Sequence, residues 1–391
     1  MKFLLVTPYY YPATSYGGPI YSVKKLAEGL VKKGFDVTVL TSNFNRDKEI
    51  YNKSETLKIL NNVKIIYFRL DSLKISGKNL FGYFYSSALK KYLKKNIKKY
   101  DIVHSQINFN YFSYICLKLA QKSKLINFFS QRGTYSPERL KSKSLKKKIY
   151  FHFFEKKILQ ACTNLIALNN YEVKYYKNLG IIKNIVKIPN GIEKIKFKKN
   201  LKISKSVRNN KINIIYLARI SKLKGIDLLI KTIHKNQSRL KNFNFHIAGY
   251  DEESYFKTIN TKFLKQNNII YYGHLDKNKK YSLLNKMDAL ILPSFGEGLS
   301  ISILEALYLK KIILTSNLTK FSYKKFEINF NLNNNSVFKA LKKFERFKYS
   351  NKFKSEASNA HNYVKKNFSW PIIIDKYLKM SRNAFIKKKY N

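Results

Sequence analysis

Short apolar runs alternate with longer segments of helical period along the first part of the chain. The runs Lys2–Val6 and 37–40 each end at polar turn residues and are short enough for buried strands. Between them, apolar residues recur at steps of three and four: Ile20, Val23, Leu26, Leu30 and Val31. Gly34 follows as a stop signal. The order strand, glycine loop, helix and strand is typical of the start of a parallel doubly wound sheet.

This alternation continues and then restarts in the middle of the chain. Before the restart, further strands are predicted at 63–68, 101–103, 125–129 and 164–168. After it, strands are predicted at 211–216, 245–249, 269–273, 289–292 and 312–314. The stretch 190–210 between the two series is polar and rich in lysine, as expected of a linker. The pattern therefore predicts two α/β domains in series.

Length and composition fit this organisation and narrow the class of protein. A chain of 391 residues with 45% apolar and 15% aromatic residues can bury ample surface, so it is globular. Cys116 and Cys162 lie far apart, which excludes a disulfide framework and fits a reducing compartment. The apolar start is broken at Pro8, and no stretch reaches the roughly 18 to 20 apolar residues of a membrane span. We expect a cytoplasmic protein, with any membrane contact peripheral on the inner face.

The formal net charge of +54 raises the question of an anionic partner. Lys, Asn, Ile, Phe and Tyr are all abundant, as AT-rich coding sequences favour, so compositional drift is the preferred explanation of the charge. An anionic membrane surface remains a candidate partner. Nucleic acid is not expected as a partner, because the aromatic-basic motifs of RNA-binding modules are missing from the sequence.

Two strongly basic segments carry apolar residues at helical spacing. Residues 89–100 read LKKYLKKNIKKY, and residues 139–157 read RLKSKSLKKKIYFHFFEKK. Helices of this type either lie on anionic lipid or pack their apolar stripe on their own sheet and solvate the lysines. Internal packing is favoured for the first segment, and both alternatives stay open for the second.

The first glycine loop, Ser15-Tyr16-Gly17-Gly18-Pro19, excludes the common nucleotide motifs. It matches neither GxGxxG nor a Walker loop, which argues against a nicotinamide, flavin or P-loop enzyme. Paired glycines before a helix can bring backbone N–H groups close to a phosphate, or they can form a tight turn alone. The pattern leaves both interpretations of Gly17 and Gly18 open.

Two motifs of the second domain follow buried strands. In YLARISKLKG, Arg219 and Lys224 are expected at the carboxyl edge of the sheet, where a guanidinium and an ammonium suit a diphosphate. In PSFGEGLSISILEAL, Glu297 lies in a loop and Glu305 in the next helix, and the whole chain has only 23 acidic residues. The alternative to a binding role is that Lys224 is a solvated surface lysine. For Glu297 and Glu305 the alternative is one helix-capping acid and one surface glutamate.

These motifs together resemble glycosyltransferase family 4, the retaining GT-B enzymes. The resemblance rests on FLLVTPYYYPATSYGGPIYSVKKLAEGLVKKGFDVTVLTS, LIALNNYEVKYYKNLG, IVKIPNGIE, YLARISKLKGIDLLI and PSFGEGLSISILEAL. It implies an α/β GT-B fold, two Rossmann-like doubly wound parallel-sheet domains facing a cleft. The acceptor domain would span 1–195 and the donor domain 205–371, with a C-terminal helix at 372–391 crossing back onto the first domain.

The resemblance also assigns donor-binding residues: Gly17, Gly18, Arg219, Lys224, Glu297, Gly298, Leu299 and Glu305. Arg219 and Lys224 would hold the donor diphosphate, Glu305 the ribose hydroxyls, and Glu297 the transferred sugar. The glycine pair would close over the donor from the opposite domain. The implied partners are a nucleotide-sugar donor and a glycan or lipid-linked acceptor, in the synthesis of a cell-surface polysaccharide or lipopolysaccharide. No metal or other cofactor is expected, because the cations can neutralise the leaving diphosphate.

Two weaker resemblances lie in the first domain, and one segment departs from the family. His104 follows Asp101-Ile102-Val103 as in a DxxHxH-like pattern, with Gln106 replacing the second histidine, so it is either catalytic or a strand-end core residue. Arg132 resembles an Arg-Gly loop near the acceptor. Residues 317–323 replace the Gly-rich turn and Pro-Glu of relatives. The rival functions are an epimerase or phosphorylase-like enzyme on the same fold and, as a non-enzyme, a basic nucleic-acid-binding protein.

Overall fold

The protein divides into two compact units, the first formed by Met1–Gly191 with Trp370–Asn391 and the second by Ile192–Ser369. The computed structural model describes residues 1–14, 17–45, 48–71, 74–75, 78–79, 84–137, 140, 144–182, 184–197, 211–251, 254–260, 268–319, 321 and 325–390. Several predicted positions lie outside the described residues: 15–16 of the glycine loop, 139 and 141–143 of the second basic segment, 198–210 of the linker, and 320 and 322–323 of the divergent segment.

The first unit is built on an eight-stranded sheet. The described strands of the unit, inside and outside this sheet, are β1 Lys2–Val6, β2 Asp36–Ser42, β3 Phe44–Asn45, β4 Lys48–Glu49, β5 Glu55–Leu60, β6 Val63–Phe68, β7 Lys74–Ile75, β8 Lys78–Asn79, β9 Ile102–Gln106, β10 Ile126–Ser130, β11 Asn164–Ala167 and β12 Ile185–Lys187. The main sheet has the order β12-β11-β10-β9-β1-β2-β6-β5, and β3-β4 and β7-β8 form small separate pairs. The main sheet is parallel except for β5, which runs antiparallel to β6.

Helices cover this sheet because its strands are apolar on both faces. Leu4, Leu5 and Val6 of β1 are fully buried, the near-continuous run typical of a parallel strand. The helices of the unit are α1 Gly18–Lys32, α2 Ser87–Asn96, α3 Tyr111–Lys122, α4 Ser144–Tyr150, α5 Lys156–Gln160, α6 Asn170–Asn178 and, from the end of the chain, Trp370–Tyr390. A π-helix, Phe151–Glu155, joins α4 to α5.

The C-terminal helix Trp370–Tyr390 packs against α1 within the first unit. Gly29 of α1 permits the contact, because a Cβ there would lie 2.6 Å from Cδ1 of Ile374. Ile373, Ile374 and Tyr377 join the same apolar cluster as the buried face of α1. The last helix therefore completes the core of the first unit.

The second unit is a six-stranded sheet with helices. Its strands are β13 Ile212–Leu217, β14 Phe243–Ala248, β15 Ile269–Gly273, β16 Ala289–Leu292, β17 Ile312–Ser316 and β18 Glu327–Phe330. Its helices are α7 Ile226–Lys235, α8 Tyr255–Asn260, α9 Lys277–Asn285, α10 Ile301–Tyr308, α11 Asn334–Lys348 and α12 Phe353–Phe368; with these, the helix Trp370–Tyr390 is α13. The strand order is β15-β14-β13-β16-β17-β18, and each pairing is parallel.

The strand orders locate the switch point of each sheet. In the second unit the chain winds outward on one side from β13 and on the other from β16, and these two strands are neighbours. In the first unit the neighbours are β1 and β9. Open α/β sheets bind ligands beyond the carboxyl ends of strands at such points. The candidate ligand sites are therefore the loops after β13 and β16 and those after β1 and β9.

The two basic segments pack differently. In the first, Leu89, Leu93 and Ile97 are buried in the core of the first unit, so its apolar stripe packs internally as favoured. The second, with its described part in α4, the π-helix and α5, leaves large apolar side chains exposed. Across the residues that the structure describes, we find no helix with the length and apolarity needed to cross a bilayer.

Candidate functional site

The loops after β13 and β16 are joined by hydrogen bonds at the switch point of the second unit. The Phe295 N–H donates to the Leu223 carbonyl at 3.0 Å, and the Ser294 hydroxyl donates to the same oxygen at 3.1 Å. Ser316 of β17 in turn donates its hydroxyl to the Ser294 carbonyl at 2.5 Å. The two motifs recognised in the sequence are thus one continuous site in the fold.

Gly225 makes this close approach sterically feasible. Its φ of +68° lies in the left-handed region, and a Cβ at this position would lie 1.9 Å from the Pro293 carbonyl oxygen. The left-handed residue also ends the short 3₁₀ turn Lys222–Lys224 and begins α7. A glycine is therefore required for the loop that presents Lys224.

Lys224 and Glu297 form an ion pair across the two loops. The Lys224 ammonium donates to Oε1 of Glu297, and the two side chains are only 10% and 14% exposed. Partial burial removes hydration from both charges, so such a pair contributes little net stability against apolar residues of similar size. A desolvated cation and carboxylate at a switch point are better explained by a charged or polar ligand than by folding.

Arg219 lies on the same loop as Lys224 and is half-buried. Its carbonyl accepts a hydrogen bond of 2.9 Å from the Tyr216 hydroxyl at the end of β13. Burial, and then the nearby Glu297 carboxylate, raise the pKa of Tyr216 well above its ordinary value. The hydroxyl therefore stays protonated and fixes the backbone that carries Arg219.

Glu305 is held by two residues of α9. It is 4% exposed, and its Oε1 accepts from the Lys280 ammonium at 2.6 Å and from the Tyr281 hydroxyl at 2.9 Å. Sequence reasoning missed Lys280 and Tyr281. Nothing in the pattern distinguishes them, because Lys280 is one of 77 basic residues and α9 precedes β16 rather than following a candidate strand.

In the first unit, Gly17 and Gly18 lie where β1 leads into α1. Gly17 caps the helix with a φ of +79°, and a Cβ added to it would meet no atom within 4 Å. Glycine is thus favoured there by backbone conformation and not by crowding. Both interpretations of the glycine pair are compatible with this geometry, and the phosphate role stays a prediction.

His104 lies on β9 with its ring enclosed. It is 2% exposed, Nε2 lies 2.8 Å from the Ser130 hydroxyl, and the Gln106 amide nitrogen lies 2.9 Å from Nε2. Burial, with a smaller contribution from the Arg132 charge, lowers the pKa of His104 well below its ordinary value. The imidazole is therefore neutral near pH 7. It can act as a hydrogen-bond donor and acceptor but carries no positive charge.

Arg132 lies beside His104 and is 9% exposed. Its Nε donates to Oε1 of Gln106 at 2.6 Å, and Nη1 donates to Oδ1 of Asn190 at 2.9 Å. Its φ of +50° is rare for a residue other than glycine, and such backbone strain is concentrated at functional sites. The network links His104, Gln106, Arg132 and Asn190. Gln106, noted in the sequence only as a replacement, is the residue that connects the two predicted ones.

The two units, each a mainly parallel sheet with polar loops at its switch point, fit the predicted GT-B fold, and comparisons with known proteins give the class as glycosyltransferase. Residues 16–194 match the family described as Glycosyltransferase Family 4, and residues 197–331 match the one described as Glycosyl transferases group 1. Each half of the chain thus matches a glycosyltransferase family model, which confirms the predicted resemblance to glycosyltransferase family 4.

Individual relatives are more distant. A protein of Klebsiella pneumoniae, described only as a 41.2 kDa protein in a cps region, is 29% identical over 55% of this chain and 59% of its own. The O-antigen biosynthesis glycosyltransferase WclY of Escherichia coli is 27% identical over 59% of this chain and 64% of its own. The chain thus spans less than two thirds of either relative. The structure of Anabaena HepE in complex with UDP and glucose is 13% identical, covers 98% of this chain and 100% of its own, and has a TM-score of 0.69. This likeness confirms the expected GT-B fold.

Proposed function

We propose that the chain transfers a sugar, with retention of anomeric configuration, from a nucleotide-diphosphate sugar to a glycan or lipid-linked acceptor. The observation that carries the proposal is the desolvated Lys224–Glu297 pair at the switch point of the second unit. The O-antigen role in the name of the E. coli relative and the UDP and glucose in the HepE structure point the same way. We infer a place in the synthesis of a cell-surface polysaccharide or lipopolysaccharide.

In this proposal Arg219 and Lys224 hold the donor diphosphate. An ammonium has three N–H donors, so Lys224 can keep its bond to Glu297 and still donate to a phosphate oxygen. The diphosphate gains negative charge as the glycosidic bond breaks. A cation already positioned beside it stabilises the transition state more than the ground state.

The two carboxylates take different parts of the donor. Glu305, oriented by Lys280 and Tyr281, accepts from the ribose hydroxyls. Glu297 accepts from hydroxyls of the transferred sugar, and the backbone of Gly298 and Leu299 lines the same sugar. The acceptor then attacks from the face that the diphosphate leaves, through an oxocarbenium-like state, which retains the configuration without a covalent glycosyl-enzyme intermediate. His104 and Arg132 would act on the acceptor side.

A panel of UDP-, ADP- and GDP-sugars tests the proposal through release of the nucleoside diphosphate. We expect slow hydrolysis of one donor class and faster release when the right acceptor is added. Lys224→Met should abolish both, whereas Arg346→Ala, an exposed cation of the same unit, should not. An epimerised donor with no diphosphate released would favour the epimerase alternative. A product of inverted configuration, read by NMR at the anomeric proton, would refute retention.

A further inference from the structure

Large apolar side chains are exposed along one side of the segment 144–160, formed by α4, the π-helix and α5. Leu145 is 70% exposed, Ile149 48% and Phe153 73%. They recur at every fourth position, which keeps them on the same side of the helical segment. Phe154 beside them is 46% exposed. A contiguous group of this kind on a protein surface marks an interaction site.

The opposite side of this segment is firmly attached to the first unit. Glu155 is buried, with Oε1 accepting from the Phe109 N–H at 2.5 Å and Oε2 from the Tyr135 hydroxyl at 2.9 Å. The Phe151 ring packs edge-on against Tyr135 at 5.7 Å. The segment is therefore fixed on the first unit by Glu155 and Phe151, and this attachment leaves Leu145, Ile149 and Phe153 facing outward.

The charges of the segment are segregated in the same way. Glu155 is the one acidic residue in the sequence of 144–160, and it points inward. Lys148 and Lys157 are exposed, and Lys157 continues the row four positions after Phe153. The outward side thus combines aromatic and aliphatic groups with cations and, among its described residues, lacks a carboxylate. This combination suits the interface of an anionic bilayer, where apolar groups enter the headgroup region and lysines meet lipid phosphates.

We propose that the segment 144–160 docks the protein on an anionic membrane, with Leu145, Ile149 and Phe153 entering the lipid and Lys148 and Lys157 contacting phosphates. A second copy of the chain is a poorer occupant, because two molecules of charge +54 repel each other. The docking goes beyond the proposed function and does not depend on it.

Comparison with α2 shows that basicity alone does not define this surface. The sequence of α2 has the same alternation of lysine and apolar residues, but Leu89 and Leu93 are fully buried, which leaves lysines outward. Of the two basic segments, 144–160 is the one whose described residues expose both apolar side chains and lysines. It is also attached to the loop after β9, since the Tyr150 hydroxyl donates to the Asn110 carbonyl at 3.4 Å. Docking would hold this switch-point edge close to the lipid surface, where a lipid-linked acceptor would be found if the proposed function is right.

Vesicle sedimentation with matched variants tests the apolar component. The probes are phosphatidylcholine vesicles with and without phosphatidylglycerol. The variant Ile149→Ser/Phe153→Ser should lose about tenfold or more in affinity for the anionic vesicles, as expected when two large side chains no longer enter the lipid. The control Leu57→Ser/Ile59→Ser removes two comparably exposed apolar residues from β5, at 53% and 71%, and should bind as the parent does.

A second pair of variants tests the charged component. Lys148→Ala/Lys157→Ala and Lys94→Ala/Lys98→Ala each remove two exposed lysines, but only the first pair lies in the docking segment. The first should weaken binding to anionic vesicles several-fold more than the second. In a third measurement, Phe153→Trp should show a blue-shifted emission on binding, over the background of Trp370, the one native tryptophan.

Several results would overturn the proposal. These are no binding of the parent to anionic vesicles, equal binding of all four paired variants, or an unshifted Phe153→Trp emission in the bound state. Loss of single-stranded RNA binding by Ile149→Ser/Phe153→Ser with vesicle binding unchanged would assign the surface to nucleic acid instead. Conversion of a parent dimer to a monomer by the same variant would assign it to self-association. Donor turnover in solution, measured on the same variants, reports on the proposed function separately.

Discussion

Arg219 and Lys224 differ in what they can offer a diphosphate. The guanidinium of Arg219 can contact two phosphate oxygens at once, whereas Lys224 acts as a point charge shared with Glu297. Arg219→Ala should therefore lower kcat by about two to three orders of magnitude, the scale seen when one preorganised donor is removed. Arg219→Lys should recover only part of the loss, because an ammonium cannot form the bidentate contact.

The control for this prediction is Arg346→Ala, which removes an exposed guanidinium of α11 in the same unit. Initial rates of nucleoside diphosphate release from the donor at saturation give kcat for each variant. If Arg219→Ala and Arg346→Ala turn over the donor equally well, the general basicity of the chain holds the diphosphate and the assignment of Arg219 is wrong.

The two carboxylates should separate binding from chemistry. Glu305→Gln replaces a charged acceptor by a neutral one, so the Kd of the free nucleoside diphosphate should rise about tenfold to a hundredfold, as for a lost hydrogen bond to a charged group. Glu297→Gln should bind the nucleotide at least as tightly as the parent, because Lys224 loses a competing carboxylate, while transfer slows. Titration calorimetry measures both, with Glu345→Gln as control. Parent-like affinity in Glu305→Gln would refute the ribose assignment.

At this scale, sequence reasoning placed the four charged candidates in their loops and helix and missed the residues that hold Glu305. Arg219, Lys224 and Glu297 were placed in loops after strand ends and Glu305 in the following helix, since this placement needs only the order of strands, loops and helices. The hydrogen bonds of Lys280 and Tyr281 to Glu305 depend on how α9 packs beside α10. Packing of that kind is tertiary information, and no local spacing encodes it.

Among the elements, the joint between the loops after β13 and β16 depends on Gly225. Gly225→Ala adds a left-handed alanine, at about 1 to 2 kcal/mol, and a methyl that would lie 1.9 Å from the Pro293 carbonyl oxygen. The loop must move, so the variant should lose both stability and transfer activity. Gly273→Ala is the matched control, because its φ of +64° carries the same backbone cost with no atom within 4 Å. Urea unfolding and donor turnover measure the two effects.

The comparison separates backbone strain from the loss of the joint. Gly225→Ala should have the lower urea midpoint of the two and should alone lose transfer beyond its loss of stability. Similar midpoints and similar rates in both variants would mean that the Pro293 contact plays no part in holding the site.

Strands were predictable where the sequence contains a continuous apolar run and were missed where it does not. The predicted runs 2–6 and 63–68 coincide with β1 and β6. β5 was missed because its residues are exposed or half-buried, so ETLKIL lacks a continuous apolar signal and pairs only as an antiparallel edge. Helical spacing likewise showed the apolar side of α2 and of 144–160, but it cannot show whether that side meets the core or the surface.

For the molecule as a whole, buried titratable groups make stability depend on pH. Burial raises the pKa of Glu155 to about 7. Between its ordinary pKa of 4.5 and this value, the carboxyl group is protonated in the folded state and ionised in the unfolded state. The stabilisation is fully present below that ordinary value and is lost as pH rises through about 7. Glu155→Gln keeps a neutral side chain at every pH. The difference in free energy of unfolding, Glu155→Gln minus parent, should therefore increase from acidic to alkaline pH. The increase should be about 3 kcal/mol at most.

Urea unfolding at several pH values measures this difference, with Glu55→Gln, an exposed carboxylate of the same unit, as control. The buried neutral His104 acts in the opposite direction, since its lowered pKa makes the fold less stable as pH falls below 6.5. It is present in the parent and in both variants, so it cancels in the comparison. A pH-independent difference between Glu155→Gln and the parent would contradict a buried proton at Glu155.

The charge of the whole chain makes its stability depend on salt. With 77 basic and 23 acidic residues, most cations have no nearby carboxylate, and their mutual repulsion is stronger in the compact state than in the expanded one. Salt screens exposed charges beyond about 10 Å at 0.1 M, so sodium chloride should raise the Tm most steeply at low concentration and then level off. Sucrose, which strengthens burial without screening, should raise it gradually with no early rise. An equal, linear response to both would show that repulsion contributes little. The cations would then lie far enough apart to repel each other only weakly. This spacing is expected if compositional drift added lysines and only those compatible with folding were retained.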